Sequence, residues 1–147
     1  MTRLNLVPVE ELMDQHLFAE FREIKMVPKS LRRSIEAGGR YTSNPEAYVL
    51  RKVPLLYTLN SGHVSFFYDK GAYLFDRYNL LRHDLRRRGY NFDENALLDP
   101  DRVFASLDER FNRFYEPTPE ALALVRQRIA ERIALKPDWY RYTGART

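Results

Sequence analysis

The sequence predicts an all-α fold, a compact single domain over residues 1–147 with about three main helices, shorter helical segments and long loops. Three observations carry that expectation. Apolar residues recur at helical spacing in separate stretches, Pro and Gly punctuate their ends, and no alternating run is long enough to demand a sheet. At 147 residues one domain buries roughly 70% of its extended-chain surface, so it needs no covalent staple.

The first helix is expected from Pro8 to Ile24, with Pro8 in the first turn. Leu12, Met13, Leu17, Phe21 and Ile24 form its apolar stripe, while His16, Glu20 and Glu23 share another face. A second helix from Pro28 to Ala37 is closed by Gly38-Gly39. Residues 39–61, with Pro45 and Pro54, read as a loop. Within it VLRKVPLLYTL fits a short buried extended segment or a turn. A long helix is expected from His63 to Arg88, because Val64, Phe67, Leu74, Tyr78, Leu81 and Leu85 keep the 3.6 period and Gly89 stops it. Asp99-Pro100 marks a shorter helix through Phe114. Thr118-Pro119 pairs an N-cap with Pro at the first helical position, opening a final helix to about Leu135. The tail reads PDWYRYTGART.

Composition narrows the chemistry. The chain has no cysteine, which excludes disulfides, thiol nucleophiles and cysteine-bound metal, and fits a reducing compartment. No apolar run approaches the ~20 residues of a membrane span, and the charge layout of a signal peptide is missing. A cytoplasmic protein is the expectation. His16, His63 and His83 are too scattered for a metal motif, and no Gly-rich phosphate loop is present. A catalytic metal is therefore not expected.

The net charge is +4, and 19 of the 24 basic residues are Arg, whose rigid fork suits phosphate. Residues 70–89 and 121–147 each hold six basic and two acidic side chains, whereas 92–120 hold eight acidic and three basic. That asymmetry fits a polyanion on one face, and equally an Arg-rich protein with ordinary solvated faces. In the last helix Arg128, Arg132 and Lys136 lie at i, i+4 and i+8, one basic stripe able to meet backbone phosphates. Arg86-Arg87-Arg88 either adds to it or caps a helix C-terminus.

Met1-Thr2 is a favourable context for removal of the initiator Met. Removal frees an α-amine with a reference pKa of about 7.7–8.0, partly neutral at cellular pH. Nearby Arg3 or Arg22 favours the neutral form. Such an amine can attack a sugar C1′ and form an imine, as lysines do in Schiff-base catalysis. A terminus packed against a helix bearing Glu23 would bring amine and carboxylate together. On the helix pattern alone, Glu23 fits a solvated face equally well.

Three blocks carry a resemblance: the opening MTRLNLVPVEELMDQHLFAEFREI, then SGHVSFFYDKGAYLFDRYNLLRHDLRRRGYNF, then RIAERIALKPDWYRYTG. In order, and over roughly half the chain, the sequence resembles the phage pyrimidine-dimer DNA glycosylases of the endonuclease V type. The resemblance implies an all-α bifunctional enzyme acting as a DNA N-glycosylase and a lyase at abasic sites, without cofactors. It would excise cyclobutane pyrimidine dimers through an imine on the Thr2 amine and then cut the strand by β-elimination. The family's nucleophile matches Thr2 and its essential carboxylate matches Glu23. Arg3, His16 and Arg22 fall on positions tied to the active site or bound DNA.

Double-stranded DNA carrying a lesion is then the expected partner of a monomer, with no membrane and no obligate protein partner. The basic stripe of Arg128, Arg132 and Lys136 reads as a backbone contact. Tyr140, Arg141 and Tyr142 read as a mixed aromatic and cationic segment able to stack near the lesion, although Tyr140 and Tyr142 fit docking of the tail into the core equally well, and Trp139 reads as a structural anchor. The sequence departs from the family at Met26, where a basic residue is expected, at Thr143, where an aromatic is expected, and by an insertion around residues 40–58. Two alternatives follow: a glycosylase/lyase for another damaged or modified base, or a non-catalytic helical DNA-binding module.

Overall fold

A computed structural model describes residues 4–144 of the chain. Its main helices are α1 (Asp14–Glu23), α2 (Met26–Gly38), α3 (Pro45–Arg51), α4 (Gly71–Arg87) and α5 (Pro119–Leu135). Short 3₁₀ turns occupy Val9–Glu11, Ser65–Phe67, Phe104–Ser106 and Glu109–Phe111. Among the described residues the only β-type pairing is an isolated bridge between Lys70 and Asn112. The all-α expectation holds.

The core forms where α1 crosses α4. Leu17 and Phe21 of the first and Ile24 just after it, with Leu74, Tyr78, Leu81 and Leu85 of the second, are buried. The Phe21 and Tyr78 rings stack at 5.4 Å. Leu4, Leu6, Val7, Val9 and Leu12 join this core from the N-terminal side. Burying each of these large aliphatic side chains stabilises the fold by about 1.5–3 kcal/mol.

The expected helix 8–24 is in fact two pieces. Leu12 and Met13 are extended, and α1 starts only at Asp14. The cause lies at the other end of the chain. The Asp14 amide donates to the Arg141 carbonyl at 2.8 Å, so the C-terminal tail satisfies a group that a continuous helix would have paired internally.

The expected helix 63–88 also starts late, at Gly71. Arg113 donates its amide to Asp69 and Tyr73 donates to Arg113, each at 3.2 Å, and this pairing holds residues 69–73 against 111–113. A side chain at position 71 would run into Asn112 and would lie 2.7 Å from the Phe104 ring, so glycine permits the close approach.

The region 99–114 contains two 3₁₀ turns rather than one helix. The Asp99 carboxylate accepts from the amides of Val103 and Phe104 at 2.8 and 2.7 Å, and Asp108 accepts from Arg110 at 2.9 Å. These local bonds compete with helical ones and win. Residues 39–61 are not all loop, since α3 lies inside them, and neither reading of VLRKVPLLYTL anticipated a helix there. Asn44 caps α3 by accepting from Ala47 at 3.2 Å, and Pro45 fills its first turn. The final helix begins as expected, with Thr118 accepting from Ala121 at 3.1 Å.

Candidate active site

A cavity of about 650 Å³ opens between α1, α5 and the C-terminal tail. His16, Arg22 and Glu23 of α1 form one wall, Arg128 and Arg132 of α5 another. Tyr140 and Arg141 come from the tail. Seven residues singled out from separate stretches of sequence thus share one concave surface.

The tail is held there by polar contacts with the start of α1. Gln15 donates from its side-chain amide to the Trp139 carbonyl at 2.7 Å, and Arg141 donates its own amide back to Gln15 at 3.2 Å. Thr143 donates its backbone amide to Asp14 at 3.1 Å, and its hydroxyl donates to the other oxygen of the same carboxylate. Tyr90 also donates to Asp14, at 2.7 Å. Burial pushes the Asp14 pKa up, but these hydrogen bonds and one from Arg88 outweigh it and hold the value at about 2. Thr143, one of the departures from the resembled family, therefore helps to close the tail onto α1.

Within the cavity the His16 ring stacks on Tyr140, with centroids 4.7 Å apart. Its Nδ1 is buried and has no hydrogen-bond partner among the described residues. Burial, and then the charge of Arg132, holds the His16 pKa below the ordinary imidazole value. The ring is neutral at cellular pH and sits beside a cation. Glu20, which shares its helix face in the sequence, is committed elsewhere. It accepts from Arg77 at 2.6 and 3.0 Å and from the Asn5 amide at 2.9 Å, and it is fully buried. Glu23 is only half-buried and faces the cavity.

The remaining predicted residues divide. Lys136 caps α5 away from the cavity lining, its ammonium 5.7 Å from the Trp139 ring. Tyr142 accepts from Arg87 at 2.8 Å, and its ring lies 4.0 Å from the Arg88 guanidinium, so both its polar and apolar parts face the protein. Trp139 is anchored through its backbone, yet its ring remains 57% exposed. Thr2 and Arg3 lie outside the described residues. Met26 is half exposed, and the nearby Lys25 ammonium sits 4.4 Å from the Phe21 ring centroid. Sequence reasoning missed Asn5, Gln15, Phe18 and Tyr90, which also line the cavity. Gln15 and Asn5 carried no signal, because their roles depend on segments remote in sequence. Among the described residues no cluster of three or more His, Asp or Glu is placed to hold a metal.

The family model for pyrimidine dimer DNA glycosylases matches residues 1–98. The chain belongs to this family. The match spans α1 to α4 and includes the wall that bears Glu23, while the Arg128 and Arg132 wall lies beyond it. Membership makes the protein a DNA-repair enzyme of the glycosylase type, with DNA as substrate. Among the described residues no helix is long and apolar enough to cross a membrane.

Proposed function

We propose that the protein excises cyclobutane pyrimidine dimers through an imine formed by the Thr2 amine, and then cuts the strand at the resulting abasic site. The observation that carries this reading is the shared cavity. The carboxylate of Glu23 and the cations Arg22, Arg128 and Arg132 converge on one concave surface. Asn5, three residues beyond Thr2, lines it.

The neutral amine attacks C1′ of the sugar, and the bond from C1′ to the 5′ base of the dimer breaks, the base leaving with the bond's electron pair and taking up a proton. Opening of the sugar ring gives the imine. Glu23 stabilises positive charge on the sugar and relays protons during ring opening. Loss of a C2′ proton then expels the 3′ phosphate by β-elimination, and water releases the amine. Arg22, Arg128 and Arg132 hold the flanking phosphates. His16, neutral and stacked on Tyr140, shapes the floor of the site and orients its neighbours. Arg3, Arg141 and Tyr140 complete the contact with DNA. The enzyme needs no cofactor in this scheme and works as a monomer on damaged duplex.

The test combines two variants. Retention of Met1 or acetylation of Thr2, confirmed by intact mass, abolishes borohydride trapping on abasic-site DNA and abolishes base excision. Glu23→Gln keeps binding of damaged duplex while excision falls by at least ~10²-fold, the scale of a positioned acid/base group. Full activity in protein that keeps Met1, or near-parental excision by Glu23→Gln, overturns the mechanism. A non-catalytic binding module would trap nothing in either form.

A further inference from the structure

Residues 4–7 have no regular secondary structure, yet four side chains from distant parts of the chain hold their backbone. Leu4 donates its amide to His63 Nε2 at 2.9 Å, and its carbonyl accepts from the Tyr57 hydroxyl at 2.7 Å. Asn5 donates to Glu20 at 2.9 Å, and the Val7 carbonyl accepts from Arg77 at 2.6 Å. Leu6, between them, has φ 60°, a left-handed conformation that a branched aliphatic residue rarely adopts. Val7 donates to the Asn5 carbonyl at 2.5 Å across it, closing a three-residue turn. Backbone strain of this kind persists only where its surroundings over-determine it, and it gathers at functional sites.

The contacts also fix the chemistry of His63. Its Nε2 meets an N–H and must accept, and its Nδ1 lies 2.8 Å from the Thr58 carbonyl and must donate. One neutral tautomer satisfies both. Tyr57 and His63 bracket Leu59, which lines the active-site cavity. Both follow α3 in the chain, Tyr57 at the end of the insertion around residues 40–58 and His63 just beyond it.

We propose that His63 and Tyr57 are positioning residues for the nucleophile. Gripping Leu4 at its amide and its carbonyl sets both the place and the direction from which the chain approaches the Glu23 cavity. Two residues of chain reach at most ~7 Å, so the fixing of Leu4 bounds where the Thr2 amine can act. The assignment rests on the Thr2 reading above.

The test uses a duplex with a preformed abasic site, excess enzyme, and the single-turnover rate of borohydride trapping, with affinity for the same duplex measured in parallel. His63→Leu keeps the apolar volume but loses both hydrogen bonds. It should slow trapping at least tenfold, well inside the ~10²-fold that a displacement of about 1 Å costs an aligned nucleophile. Affinity should stay within about threefold, because no phosphate contact is removed. His63→Gln restores an acceptor and a donor and recovers most of the rate. Tyr57→Phe deletes one oxygen and slows trapping by about threefold or more, the worth of one net hydrogen bond. Leu55→Ser, at a 97% exposed position on the same loop, leaves the rate unchanged.

If His63→Leu does not fold, Tyr57→Phe decides. Parental trapping by folded Tyr57→Phe, or losses in rate and affinity by equal factors, overturns the assignment. The parent protein acetylated on Thr2 separates the two claims. If it still traps, the amine reading falls and the positioning role with it. If it is inert while the His63 and Tyr57 variants trap at the parental rate, only the positioning role fails.

Discussion

The C-terminal end of α4 and the exposed side of α5 both carry arginines, three in a row at Arg86, Arg87 and Arg88 and two one turn apart at Arg128 and Arg132, and the structure uses them in opposite ways. On α4, the Arg88 side chain is completely buried and binds Asp84 and Asp14, each at 2.9 Å, and the Val9 carbonyl at 3.2 Å. Arg87 pairs with Asp84 at 2.7 Å, and Arg86 pairs with Glu94. On α5, Arg128 and Arg132 make no ion pair among the described residues and face the cavity. Arg126, on another side of the same helix, pairs with Glu11 at 2.8 Å. A run of basic residues therefore says little about function until each guanidinium's partner is known. Where carboxylates are packed beside it, the cation holds the fold together. Where none is, it is available to a phosphate.

The largest expected effect tests the first half of that contrast. Arg88→Ala takes the shared cation away from two buried carboxylates, leaving Asp84 only Arg87 and Asp14 only its neutral donors, and breaking a buried pair in this way costs about 3–5 kcal/mol. Lys at this position restores charge but not the fork that reaches Asp84, Asp14 and Val9 together. Urea denaturation measures the loss. A midpoint shift worth under ~1 kcal/mol would mean that the buried cluster is dispensable, and the contrast between the helices would lose its basis.

A smaller effect sharpens the same region through pH. Asp14 has a folded pKa of about 2 against an ordinary 3.8. A depressed carboxylate stabilises the fold above its unfolded pKa. That contribution, about 2 kcal/mol, fades as pH falls from about 4 through about 2. Asp14→Asn removes it, so stability measured from pH 6 down to pH 2 should fall less steeply in the variant than in the parent. Because Asp14 also holds Thr143, the variant should loosen the tail, seen as faster amide exchange at Thr143. Parallel acid limbs in parent and variant would show that Asp14 is not a pH-linked clasp.

Much of this arrangement was legible in the sequence, for reasons that can be named. Thr118-Pro119 and the stripe from Leu74 to Leu85 announced their helices because capping chemistry and periodicity are local. Asn44-Pro45 is the same start signal as Thr118-Pro119, but α3 is too short for its period to stand out. The break at Leu12-Met13 was not legible, because Arg141, more than a hundred residues away, takes the Asp14 amide. The site shows the same division. His16 and Glu23 stand on one helix at a spacing that brings them together, with Arg22 beside Glu23. Gln15 and Tyr90 matter only because the tail folds back on them. Glu20 looked like a companion of Glu23 and proved to be the partner of Arg77, since the sequence does not say which turn of α1 faces α4.

The smallest effect on stability belongs to α5 and tests the second half of the contrast. Arg128→Ala with Arg132→Ala removes two side chains that no described carboxylate holds, so stability should change by less than ~0.5 kcal/mol, as for ordinary surface positions. DNA binding should respond instead. Removing one phosphate partner lowers the slope of log affinity against log salt by about 0.9, so the double variant should flatten it by up to ~2 units. Damaged and undamaged duplexes should weaken by similar factors, because phosphates carry no base identity. Arg132→Ala alone adds a spectroscopic check. It removes one of the two influences that lower the His16 pKa, so the imidazole titration followed by NMR should move up while burial keeps it below the ordinary value. A salt slope unchanged from the parent, with parental affinity, would make Arg128 and Arg132 solvated helix surface. The phosphate contacts would then have to come from Arg22 and Arg141 on the other sides of the cavity, because the α4 arginines are already committed to Asp14, Asp84 and Glu94.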